Sequence, residues 1–420
     1  VKIIGAINKT WLHALFLATG VFALLYLWFT LFPGAVKPQA FTFFQEQQII
    51  EGRNYLFVHR LVFIISFLLE LTVLGWLVYS GKAEACSKHL CTLTGSGKWG
   101  GRLLFFLILW LLFRLIHLPF QLIAGYWWEK RWGFLTQSLP SWWQDYFLSA
   151  GLDFVLSLGA VILLFAAMER WPRGWWLAGA GFTAVWLFVQ TLLWPVVVSP
   201  LFNDFKPVPD PEVKQMVKGL SEKAGLEVGE VLVMDASRRT TAANAYFTGL
   251  GRTKRIVLYD TLLRNYPPQE VKAVIAHEMA HWKHGHIIKG ILGGILGNFL
   301  LWALLFLFLK PVWEKTAFYP PYTLALLLLF VLPVSFLSRP LENYVSRQME
   351  LQADRTAVVL TGDVPGAVQL QIDLAARNLA DVSPPAFLEW FSYSHPSSLV
   401  RIESILTIDP DSSIILEETN

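Results

Sequence analysis

Residues 11–32 read WLHALFLATGVFALLYLWFTLF, an unbroken run without Asp, Glu, Lys or Arg. A helix needs about 20 predominantly apolar residues to cross a hydrocarbon core, so this run is long enough to span a membrane. It is too long for the apolar core of a secretory signal, and no A-x-A-like cleavage site follows it, so it reads as an uncleaved first span. Six further runs share its character, at 61–80, 103–127, 147–168, 174–201, 287–309 and 320–338. The 420-residue composition agrees, being 55% hydrophobic and only 15% charged, which leaves too little polar side chain to cover a water-soluble globule. The 19 Trp, 12 Tyr and 31 Phe suit a protein that meets a bilayer interface. A formal net charge of +3, with no block of consecutive Lys or Arg, excludes the class of nucleic-acid binders. The expected fold is an α-helical polytopic membrane protein with about seven transmembrane helices.

These runs divide the chain into a five-span bundle (1–202), a soluble segment (203–286), two further spans (287–338) and a soluble C-terminal segment (339–420). Two spans separate the soluble segments, so both lie on one face. A slight excess of Lys and Arg on that face leans toward its being cytoplasmic. In the first soluble segment, Asp210 followed by Pro211 is an N-cap and first-turn proline for a helix to about residue 224. Short β-type segments follow at 231–234, 243–247 and 256–259, then a helix over 267–286. Gly290, Gly293, Gly294 and Gly297 form two small-xxx-small pairs, read as a helix-packing stripe. Glu70, Arg114 and Asp153, with His117, fall in or near apolar runs. Each charge costs about 2.5 to 3.5 kcal/mol at mid-bilayer depth, so these groups face a wet interior or pair with one another.

His277-Glu278-Met279-Ala280-His281 is H-E-x-x-H within a helical stretch. Residues four apart share a helix face, so both imidazoles reach one ion while Glu278 projects beside them toward a water. A third ligand is needed, and Glu350 in SRQMELQAD (346–354) is the candidate. Two His and one carboxylate leave the open fourth position of a catalytic zinc site, with one Zn2+ per chain. Asp354, one turn after Glu350, is placed to accept the free N–H of a ligating His. Zinc lowers the pKa of water to about 7, and Glu278 is the base that takes the proton.

With ANAYFTGLGRTKRIVLYDTLL (243–263) and Ser394-His395-Pro396-Ser397, these motifs resemble the type I CAAX prenyl endopeptidases, integral-membrane zinc metalloproteases. The heat-shock membrane zinc proteases share the core motifs but have fewer spans. The resemblance implies seven helices enclosing a chamber and a mostly helical metalloprotease domain with a small β-sheet. It implies that Asn244 and Ala245 hold the substrate main chain along an edge strand. It also implies that His395 and Arg401 face the oxyanion and steady the site. The sequence departs from the common H-P-P by reading H-P-S at 395–397.

The expected substrate is a prenylated CAAX-type or similarly hydrophobic peptide, met among membrane lipids. Two alternatives stay open: a quality-control protease indifferent to prenylation, and a non-catalytic scaffold or lipid-handling chamber. Arg347 reads as ion-pair support for the acidic cluster, and His284 and His286 as solvated or interfacial rather than ligands. Cys86 and Cys91, in one loop, read equally as a disulfide or as free thiols. Residues 416–420, LEETN, carry no K-D-E-L-like address, which favours a prokaryotic plasma membrane over the endoplasmic reticulum.

Overall fold

The computed structural model describes residues 9–95, 98–249 and 254–408, so the LEETN end lies outside the described residues. Seven helices are long and apolar enough to cross a membrane: span 1 Lys9–Leu31, span 2 Glu46–Tyr79, span 3 Lys98–Arg131, span 4 Leu139–Arg170, span 5 Trp175–Leu201, span 6 His286–Thr316 and span 7 Thr323–Thr361. Each of the seven apolar runs matches one of these helices, with at most three residues at a run's end lying outside it. Several helices run well past the apolar run, because polar residues at either end continue the hydrogen-bond ladder once it leaves hydrocarbon. Span 7 is the extreme case, continuing unbroken from its apolar half through residue 338 to Glu350 and Asp354.

A buried cluster drawn from spans 1 to 7 packs Leu74, Phe105, Phe165, Trp175, Leu309 and Leu329 together. Close approach of spans 5 and 6 occurs at Gly179, where an added Cβ would lie 2.7 Å from the Trp302 ring. The expected glycine stripe does not supply it. Gly290, Gly293 and Gly297 have nothing within 4 Å of where a Cβ would stand, and Gly294 meets only Leu187 Cδ1 at 3.5 Å. Those glycines are on the outer face of span 6, where small size brings no neighbour closer. Cys86 and Cys91 share the helix Lys82–Leu93 and are free thiols.

Over the bundle sits a four-stranded sheet, β1 Phe205–Pro207, β2 Glu230–Met234, β3 Ala245–Thr248 and β4 Arg255–Tyr259, in the order β1-β2-β4-β3. β2 and β4 are parallel, and both outer pairs are antiparallel. The three-residue β1 went unread in the sequence because its Pro207 and short length give no alternation. The helix Pro211–Ala224 starts as expected, with Asp210 Oδ1 accepting from the Glu212 N–H at 2.8 Å, and ends at Gly225, φ +69°. Its Val213, Val217 and Leu220 pack with Ile256 and Leu258 of β4 and with Ile275 and Met279 of the motif helix Pro268–Lys283. That helix thus presents its apolar side to the sheet and its two motif histidines to span 7.

Candidate metal centre and active site

His277 and His281 rise from successive turns of the motif helix, and Glu350 meets them from span 7. Glu350 Oε2 lies 3.3 Å from His277 Nε2, Oε1 lies 3.4 Å from His281 Nε2, and the two Nε2 atoms are 3.1 Å apart. These three residues are the metal-ligand cluster among the described residues, with donor atoms all within 4.8 Å of one another.

The surroundings fix which nitrogen of each ring is free. Asp354 Oδ1 takes the His277 Nδ1–H at 2.9 Å. Arg401 in turn clamps Asp354 with two bonds, Nε to Oδ2 at 2.7 Å and a terminal NH2 to Oδ1 at 2.6 Å. On the other ring, His281 Nδ1 is 2.8 Å from His286 Nδ1, and His286 Nε2 is 2.9 Å from Gln352 Oε1. The carbonyl oxygen of Gln352 only accepts, so His286 carries its proton on Nε2 and accepts at Nδ1 from His281. Both motif histidines therefore turn bare Nε2 lone pairs toward Glu350. Oε2 of Glu350 is buried and receives no hydrogen bond of good geometry. Two imidazole lone pairs and an orphaned carboxylate oxygen aimed at one point are the donor set of a divalent cation with an open coordination position, and the residues fit zinc.

Beside this cluster the Glu278 carboxyl is pushed up to about 7, by burial first, with the Glu350 charge adding and His277, the Phe247 N–H and His395 opposing. His395 Nδ1 stands 2.8 Å from Glu350 Oε2 with its side chain 63% exposed, open to whatever enters the cleft. Arg401 differs: at 13% exposure its guanidinium is taken up by Asp354 and lies 3.4 Å from His277 Nδ1, so its contacts are with the ring that bears on the ion.

Asn244 and Ala245 stand where the sheet has its edge. The Tyr259 N–H donates to Asn244 O at 3.0 Å, so by antiparallel alternation Tyr246 and Thr248 also face β4. Ala245 and Phe247 then turn their main-chain groups away from β4. Asn244, Ala245, Glu278, Glu350, His395 and Arg401 line one cleft of about 140 Å3.

A second cavity, about 930 Å3, lies within the bundle, and Glu70, Arg114, His117 and Asp153 are on its wall. Both halves of the sequence reading apply to these groups: they face the interior and they pair. His117 Nε2 lies 3.0 Å from Glu70 Oε2, while Asp153 binds Arg114 and accepts from Trp110 Nε1 at 2.8 Å.

Two readings are corrected. His284 and His286 are not solvated; each is 5% exposed, with His284 Nε2 2.7 Å from the Thr356 hydroxyl and His286 serving His281. Arg347 pairs with no carboxylate in the metal cluster and instead donates to the carbonyls of Glu389 at 2.9 Å and Tyr393 at 2.7 Å. It ties down the segment leading to His395. The signal for His286 was Gly285, which at φ +63° ends one helix and opens the next.

Seven membrane helices, an H-E-x-x-H helix and a facing carboxylate define a multi-pass integral-membrane metalloprotease. Two family models account for most of the chain: peptidase family M48 over residues 207–409, and the CAAX prenyl protease N-terminal region, five membrane helices, over 45–204. The chain thus carries a peptidase family M48 region and a CAAX prenyl protease membrane region, and is homologous to CAAX prenyl protease 1. It is 28% identical to an uncharacterized metalloprotease, YhfN, of Bacillus subtilis, covering 94% of this chain and 96% of that one. It is 28% identical to CAAX prenyl protease 1 of Saccharomyces cerevisiae over 69% of each chain. Its fold is similar to the crystal structure of S. mikatae Ste24p, with a TM-score of 0.79 and 23% identity, covering 94% of this chain and 98% of that one.

Proposed function

We propose that this protein hydrolyses peptide bonds near the C-terminus of prenylated CAAX-type or similarly hydrophobic peptides, using one zinc ion held by His277, His281 and Glu350. The observation that carries the reading is the convergence of His277 Nε2, His281 Nε2 and the Glu350 carboxylate, with donor atoms within 4.8 Å of one another, beside Glu278. When bound, zinc supplies a water that ionises near neutral pH and polarises the scissile carbonyl. Glu278 takes the proton from the attacking water and passes it to the leaving amine. The substrate main chain lies along the outward groups of Ala245, with Asn244 at the strand start, so that the scissile bond is presented by β-augmentation. His395 donates to the developing oxyanion, where a fixed donor acts most strongly. Arg401 and Asp354 hold the His277 ring in its working tautomer.

The apolar part of the substrate occupies the cavity in the bundle, whose volume is within the range of ligand pockets. The names of the yeast relative and of the matched membrane region support a prenylated substrate, and full-length likeness to a bacterial protein supports a prokaryotic plasma membrane. The metal site is on the cytoplasmic face in this reading.

The deciding experiment compares Glu278→Gln with wild type at equal zinc content, on a farnesylated CAAX peptide and its unprenylated counterpart. Loss of cleavage in the variant, with prenyl-dependent cleavage by wild type, is expected. Full activity of Glu278→Gln refutes the mechanism. Equal cleavage of both peptides refutes prenyl recognition and leaves a general membrane protease.

A further inference from the structure

The loop that carries His395 rests on the membrane bundle rather than on the zinc helix. The helix before it, Ala386–Ser392, buries Leu388 and Phe391 against Ala23 and Tyr26 of span 1, Ile64 of span 2 and Phe336 of span 7. Tyr393, two residues ahead of His395, places its hydroxyl 2.6 Å from an NH2 group of Arg60, a span 2 residue only 6% exposed. The same NH2 group lies 2.8 Å from Oδ2 of Asp381, which is 2% exposed. After the histidine, the Ser397 N–H donates to Glu389 Oε1 at 2.8 Å. The His395 segment is therefore anchored on one side by a guanidinium from the membrane and on the other by a carboxylate of its own helix.

An arginine buried among apolar helices costs free energy unless it is paired, and among the described residues Arg60 pairs with Asp381 and Tyr393, both on the C-terminal segment. A surface contact would not need so buried a charge. From this geometry we infer that Arg60 is a positioning residue for the reaction: through the Tyr393 hydroxyl it sets where the His395 imidazole stands relative to Glu350. Spans 1 and 2 thereby shape the transition-state contacts as well as the cavity wall. The inference rests on the proposed role of His395 at the oxyanion.

The test uses Tyr393→Phe, which removes the hydroxyl and keeps the ring, in the full-length protein with zinc bound. It is assayed on whichever of the prenylated and unprenylated peptides wild type cleaves. Misplacing a reacting group by 1 Å costs about a hundredfold. Loss of the Arg60 anchor, with the Arg347 bonds to the Glu389 and Tyr393 carbonyls and the Ser397–Glu389 bond kept, is expected to lower kcat roughly tenfold, with KM, zinc content and melting temperature near wild type. In a His395→Ala background the same substitution is expected to change kcat no further. A second variant, Arg60→Met, removes the guanidinium and leaves Asp381 paired with Arg53, whose Nε lies 3.7 Å from Oδ1. It should lower kcat similarly and show the same lack of additivity. Unchanged kcat in Tyr393→Phe, or an equal loss with and without His395, overturns the inference. Full kcat in His395→Ala alone instead overturns the oxyanion role on which it rests.

Discussion

Replacing His286 with leucine isolates the role of a histidine that touches no metal. His286 Nδ1 accepts the His281 Nδ1–H at 2.8 Å, and Gln352 Oε1 holds the far side of its ring at 2.9 Å. Leucine fills the buried volume but accepts no hydrogen bond. The His281 ring then either keeps a buried unpaired Nδ1–H, at about 1 to 3 kcal/mol, or moves the proton to Nε2, where it blocks the ion. At 1.36 kcal/mol per tenfold, the first outcome alone weakens zinc binding about 5- to 150-fold. Loss of an outer partner of a ligating histidine costs about 10- to 100-fold in other zinc sites, the same range. The assay is zinc competition against a chromogenic chelator on detergent-purified protein. His284→Leu serves as the comparison, because His284 bonds only the Thr356 hydroxyl and should leave zinc affinity near wild type. Wild-type zinc affinity in His286→Leu would refute the reasoning.

Glu270 opens the motif helix at 3% exposure, and its carboxyl is pushed up to about 7 by burial first, with Asp373 adding and Arg377 opposing. The folded state binds a proton that the unfolded chain releases near its ordinary pKa of about 4.3, so stability falls as pH rises between those values and levels off above about 7. Melting temperatures at pH 5 and pH 8 should show this fall in wild type and a smaller one in Glu270→Gln; an identical pH dependence in the two proteins excludes Glu270 as its source. Gly179→Ala forces a methyl against Trp302 and should destabilise by about 1 to 3 kcal/mol, whereas Gly293→Ala, with open space at its Cβ position, should not; thermal unfolding in one detergent compares them directly. Arg102 is 1% exposed, with Glu169 Oε1 at 2.6 Å and the Tyr319 carbonyl at 3.0 Å; Arg102→Met leaves that carbonyl without its donor while Glu169, 39% exposed, stays solvated, and should cost about 1 to 3 kcal/mol, read as a lower melting temperature.

Helical periodicity places His277 and His281 on one face, and Glu350 and Asp354 on another, and the structure brings those two faces together. His286 escaped that logic. Five helical steps would carry it about 140° round from His281, yet left-handed Gly285 breaks the period and brings it back to the ring. Arg60 had the same fate for a different reason. It sits at the edge of an apolar run, and nothing local indicates that Asp381 and Tyr393 wait more than 300 residues away. The glycine stripe erred in the opposite sense: spacing shows that helices can approach, and only the placement of Trp302 shows where they do. The seven spans were readable because hydrocarbon imposes length and composition directly, whereas helix ends outside it depend on partners.

The unbroken helix Thr323–Thr361 makes Glu350 the working tip of a lever whose other arm is embedded in lipid. From Thr323 to Glu350 the lever is about 40 Å long, so a change in tilt of about 1° swings the carboxylate by about 0.7 Å, already more than a reaction centre tolerates. Bilayer thickness acts on helix tilt. Pro333 and Pro340 lie between the embedded arm and Glu350, so the bend at these two residues decides how much of a change in bilayer thickness reaches the carboxylate.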